Sequence, residues 1–153
     1  MIEENVRSLL RQLSGGNCFR EPVTLVAATK TRTPEEIDRA IAAGITDIGE
    51  NRVQELVDKY DCGKNLKWHM IGQLQTNKVK YIIDKVALVH SLDRPALADE
   101  LDKQAKKHNL VIDALIEVNM GSEISKGGVD KSELLGLLDY VEQKENVRIR
   151  GLM

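Results

Sequence analysis

Apolar positions along the chain alternate between two spacings. Ile2, Val6, Leu9, Leu10 and Leu13 recur at helical intervals, which predicts an amphipathic helix closed by Ser14-Gly15-Gly16-Asn17. The run Thr24 to Thr29 then reads as a short buried strand. A helix follows with Thr33 as N-cap, Pro34 at its first position and Glu36 three residues after the cap, a capping box with the favoured proline. Ile37, Ala40 and Ile41 form its buried stripe, and Gly44 stops it. The same alternation continues. Strands are expected at Thr46–Gly49, Lys67–Ile71, Leu88–Ser91, Ile112–Val118 and Val147–Met153. Between them fall helices marked by Val53, Leu56, Val57 and Tyr60; by Val79, Ile82, Ile83 and Val86; by Leu97, Ala98, Leu101 and Ala105; and by Leu134, Leu135, Leu137, Leu138 and Val141.

One helix, five strand-helix units and a bare strand predict an α/β fold with a parallel sheet and helical crossovers. Two architectures meet that pattern: an open doubly wound sheet, and a (β/α)8 TIM barrel, which usually takes roughly 250 residues. We read residues 1–153 as a single domain, without internal repeat or linker.

Polar groups or exposed backbone gather where the strands end: Lys30, Glu50-Asn51, His69 with Gly72, Ser91, Asn119 and finally Met153. In either architecture the C-terminal strand ends form the ligand face. Lys30 carries the chemistry of interest. A lysine ending a buried strand would lose part of its hydration, and the neutral amine is the form that attacks an aldehyde. Each residue also has a plain structural reading. Lys30 can cap a strand at the surface, Asn51 its helix and Asn119 its loop. His69 can be a satisfied interior histidine, and Ser91 a turn former.

Charge and composition narrow the field. A net charge of −2 gives no electrostatic case for nucleic acid or an anionic membrane. With 3% aromatic residues, a base-stacking platform is not expected. No apolar run approaches the ~20 residues that span a bilayer, and the acidic start Met1-Ile2-Glu3-Glu4 is unlike a signal peptide. Cys18 and Cys62 stand apart, as in a reduced cytoplasmic chain. Dinucleotide, Walker and GxSxG motifs are absent, and His69, His90 and His108 lack metal-ligand spacing.

Several blocks carry a resemblance. They are Leu25 to Thr31, Ile48-Gly49-Glu50-Asn51-Arg52-Val53-Gln54-Glu55, Trp68-His69-Met70-Ile71-Gly72-Gln73-Leu74-Gln75-Thr76-Asn77-Lys78, His90-Ser91-Leu92-Asp93, Glu117-Val118-Asn119 through Gly128, and Arg150-Gly151-Leu152-Met153. In this order they resemble the pyridoxal phosphate homeostasis proteins, the YggS/PROSC family. The resemblance implies the fold type III, alanine racemase-like (β/α)8 barrel, here about five βα units plus a sixth strand. It implies pyridoxal 5′-phosphate (PLP) as cofactor, held as an internal aldimine on Lys30, with Asn51, His69, Gly72 and Met153 near its ring. Lys126 falls at a loop lysine of the family, and Arg32 stands where many members have another lysine.

The implied function is PLP homeostasis without robust catalysis: holding the cofactor and passing it to apo PLP-dependent enzymes, as a cytoplasmic monomer. A racemase or decarboxylase on the same fold is the alternative, and a binding module without PLP a third. In the family the chain continues past the Gly151-Leu152-Met153 strand, where the phosphate-gripping groups and the arginine facing the ring nitrogen lie. A chain without them should hold PLP weakly.

Overall fold

A computed structural model describes residues 1–63, 65–121 and 127–153. The amphipathic helix α1 (Ile2–Leu13) leads into β1 (Val26–Ala28), and five crossovers carry the chain to β6. The elements are α2 (Pro34–Ala42), β2 (Asp47–Glu50), α3 (Val53–Lys59), β3 (Lys67–Met70), β4 (Val86–Leu92), α4 (Pro95–Lys107), β5 (Ile112–Ile116), α5 (Leu134–Glu142) and β6 (Val147–Leu152).

The six strands are parallel and lie in sequence order, β1-β2-β3-β4-β5-β6. A doubly wound sheet reverses direction once, to place helices on both faces. This sheet never reverses. Right-handed crossovers that always step the same way leave every helix on one side, and successive helical segments do touch, α1 with α2, α3 with Thr76–Tyr81 and α4 with α5. Sequence order therefore selects the barrel-type arc over the open doubly wound sheet.

Strand alternation sorts the side chains. Ile48, Trp68, Met70, Val89, Ala114, Ile112 and Ile116 are buried on the helix side, together with Ile37, Leu56, Leu97 and Leu101 from the helices. The other face is concave and polar. Gly49, His69, Leu88, Asp113 and Arg148 stand level with one another on it.

Several expectations are adjusted. β1 is confined to three residues, and β5 ends at Ile116, with Val118 only bridging to Val129. The third crossover holds a 3-10 turn, Thr76–Tyr81, where an α-helix was expected. Thr76 and Asn77 compete with the backbone for hydrogen bonds, and Val79, Ile82 and Ile83 are stiff β-branched residues in a short span. Their helical spacing still buries all three. Val86 belongs to β4, not to that crossover.

The capping box at α2 is formed as read. Thr33 Oγ1 accepts from the Glu36 N–H at 3.3 Å, and Glu36 Oε2 accepts from the Thr33 N–H at 2.9 Å. Arg52 and Arg94 occupy the N-cap positions of α3 and α4, and neither makes a side-chain cap, so Asn51 is not the cap of α3. Lys126 lies outside the described residues.

Candidate functional site

The strand ends bring three of the sequence-selected residues into neighbouring positions. Ala28 pairs with Gly49, and Glu50 with Met70, so Lys30 stands level with Asn51, and Asn51 beside Ile71-Gly72. Gly72 is required there by packing: a Cβ would lie 2.7 Å from the Asn51 Cα and collide with the Asn51 carbonyl. The Gly72 carbonyl accepts the buried Ser91 hydroxyl at 2.7 Å, which ties the end of β3 to β4. Ser91 is thus a cross-strand tie where the sequence suggested a local turn former.

Lys30 follows β1 on a turn and is exposed. The desolvation expected from its place after a buried strand is not found, because β1 stops at Ala28 and the lysine projects from the turn beyond it. Met153 lies at the end of β6, five strands away in the arc. Its N–H donates to the Ile116 carbonyl at 2.9 Å and its carbonyl accepts from the Val118 N–H at 2.9 Å, and its side chain is exposed.

His69 lies deeper, one layer below the rim, and is 6% exposed. Both ring nitrogens are engaged: Nε2 lies 2.9 Å from Asp47 Oδ1, and Nδ1 lies 2.9 Å from His90 Nε2. Thr46 Oγ1 donates to the second oxygen of Asp47 at 2.7 Å. If Asp47 accepts from His69 Nε2–H, the neutral His69 ring accepts at Nδ1 from His90 Nε2–H, a directional file along the concave face. Burial, and then the neighbouring His69, holds the His90 pKa below its ordinary value, which favours a neutral His90. His69 therefore combines the interior role and the strand-end position that the sequence left open.

One carboxylate at the rim was missed. Glu117, just past β5, shares the concave face with Asp113 by alternation. One of its oxygens, Oε2, is buried without a partner. Burial, reinforced by Asp93, raises its pKa. Glu50, which the sequence does place at a strand end, is fully buried on the helix side and accepts from Thr29 Oγ1 and Lys59 Nζ, each at 2.7 Å. The sequence signal for Glu117 was present: a glutamate within the β-rich run Ile112–Val118, where helix-face solvation does not apply.

The geometry offers an exposed lysine at one edge of the rim, amide and backbone groups beside it, and a histidine-carboxylate file below. The residues fit an aldehyde cofactor at the amine.

Residues 2–153 match the model of the alanine racemase N-terminal domain. A pyridoxal phosphate homeostasis protein of Aquifex aeolicus is 47% identical over 155 residues, covering 100% of this chain and 66% of that protein. The chain spans about two thirds of the length of the curated relatives it matches. Among solved structures, PipY of Synechococcus elongatus with PLP bound superposes with a TM-score of 0.86 at 32% identity, over 100% of this chain and 69% of PipY. Alanine racemase of Corynebacterium glutamicum superposes with a TM-score of 0.76 at 19% identity, over 99% of this chain and 42% of that enzyme, a likeness of fold alone.

Proposed function

We propose that this chain holds PLP at the β1–β3 rim through Lys30, because it belongs to the family of pyridoxal phosphate homeostasis proteins built on the alanine racemase N-terminal domain. The observation that carries the reading is the placement of Lys30: an exposed amine at the C-terminal end of β1, level with Asn51 and beside Gly72 on the face where parallel α/β folds bind ligands. PLP bound there supplies an aldehyde that links reversibly to amines. Lys30 provides the attachment point. Asn51 offers an amide to a polar substituent, and Gly72 keeps the chain close to Asn51. His69, with both ring nitrogens engaged, offers no free nitrogen. Met153, at the end of β6, would be the remaining residue near the bound cofactor.

The role proposed is storage and delivery, with apo PLP-dependent enzymes as recipients, in the cytoplasm and as a monomer, without robust turnover. A reversible amine link suits that role because another amine can displace Lys30. Among the described residues no helix is long and apolar enough to cross a membrane.

Titration with PLP tests the reading. A visible absorbance band is expected for the chain and not for Lys30→Ala. Equal bands from both proteins would place the amine elsewhere. The second reading, a PLP-dependent racemase or decarboxylase, gains from His90 and Glu117, two titratable groups on the concave face. Rapid exchange of an amino acid's α-proton in deuterated water would favour it.

A further inference from the structure

Lys30 occupies the second position of a four-residue turn, Thr29-Lys30-Thr31-Arg32, closed by the Arg32 N–H donating to the Thr29 carbonyl at 3.0 Å. Thr31, in the third position, has a φ of 62°. That conformation suits glycine or asparagine and is unfavourable for a β-branched residue. Groups outside the turn must therefore hold it, and α3 supplies them on both sides of Lys30.

Lys59 Nζ donates to the Thr29 carbonyl at 2.8 Å. Glu55 Oε2 accepts from the Thr31 N–H at 3.3 Å. These two groups belong to the peptide planes immediately before and after Lys30, so both are tied to one helix. Lys59 also donates to Glu50 Oε1 at 2.7 Å and to Glu55 Oε2 at 3.1 Å. Its three N–H donors thus meet three acceptors. Burial opposes its charge, but the hydrogen bonds to Glu50 and then Glu55 outweigh burial and raise its pKa. Lys59 stays an ammonium and does not compete as an amine. Glu50 completes the group by accepting the Thr29 hydroxyl at 2.7 Å. A fully buried carboxylate with one unpartnered oxygen is a costly element. Core packing at this position is served as well by an apolar side chain.

We propose that Lys59, Glu50 and Glu55 are positioning residues that bracket Lys30 and aim its amine into the rim. The inference rests on the reading of Lys30 as the PLP-bearing amine. A misplacement of about 1 Å can cost up to about a hundredfold in rate, so loosening the bracket should slow PLP capture while sparing reactions that need no orientation.

The test compares two probes on the whole chain. PLP captured on Lys30 is fixed by borohydride and read by peptide mass. Reductive methylation of Lys30 by formaldehyde, a reagent too small to require aim, is followed in parallel. Glu55→Ala, a change at the bracket's outer edge, should capture PLP roughly tenfold more slowly, with formaldehyde methylation within about twofold of the parent. Lys59→Met should do the same or more. Because it strands a buried carboxylate and can unfold the chain, Glu55→Ala decides the matter. Adding Thr31→Gly, which accepts positive φ without help, should restore capture in the Glu55→Ala background. A folded Glu55→Ala protein that captures PLP at the parental rate overturns the bracket and leaves the function standing. Slow capture that Thr31→Gly does not restore also overturns it. Parental protein that captures no PLP on Lys30 overturns both.

Discussion

Glu117 illustrates what a single residue reveals. Its raised pKa means the folded state binds a proton more readily than the unfolded chain, so ionisation costs stability as pH rises from the ordinary carboxylate range through the folded value. Glu117→Gln removes that cost, and its thermal midpoint at neutral pH should rise by a few degrees, with the gain vanishing at acid pH. His90 works in the opposite direction. Its folded pKa is lowered, so its neutral form contributes stability above the unfolded value of about 6.5, which is lost as pH falls below that value toward the folded one. His90→Gln should flatten the pH dependence of urea midpoints between about pH 7 and 5. Lys30, Asn51 and Gly72 were legible because each ends or follows a strand run. Asp47, Lys59 and Glu117 were not. Glu55 and Lys59 sit four apart and look like an ordinary surface helix pair. Only the fold shows that Lys59 turns inward to the Thr29 carbonyl.

The same contrast appears for whole elements. α2 was legible to its caps because Thr33, Pro34 and Glu36 act within one turn. Thr33→Ala should cost about 1 kcal/mol, measured by urea unfolding. The Thr76–Tyr81 turn was misread because Val79, Ile82 and Ile83 satisfy helical spacing whether or not a full α-helix forms between them. Docking of α1 on α2 was illegible for a further reason: it depends on a pair 36 residues apart in sequence, Arg39 with Glu3 at 2.6 and 2.9 Å. The Arg39 hydrogen bonds are the main reason that Glu3 titrates at about 2 instead of 4.5. The tether is complete above the unfolded value and fades as pH falls through about 2. Hydrogen exchange of α1 amides should accelerate over that acid range in the parent and be fast already at neutral pH in Arg39→Ala.

For the whole molecule, alternation of strands and helices left two architectures open, and strand order closed the choice. Order is set by long-range pairing and handed crossovers, which no local pattern records. The concave face became visible only then, because Asp47, His69, His90, Asp113 and Arg148 are spread over five strands. Arg148 and Asp113 form a bidentate pair on it, at 2.6 and 3.0 Å. Since the chain spans about two thirds of its relatives' length, a relative of full length should retain PLP through dialysis better than residues 1–153, by roughly a hundredfold or more in Kd if two charge-assisted phosphate contacts are added. The central claim is that Lys30 is the amine that holds the cofactor. It is tested most directly by adding PLP, reducing with borohydride and mapping the modified peptide by mass. One dominant adduct is expected, on Lys30, absent from Lys30→Ala. A dominant adduct on any other lysine, or none on Lys30 under saturating PLP, would contradict it.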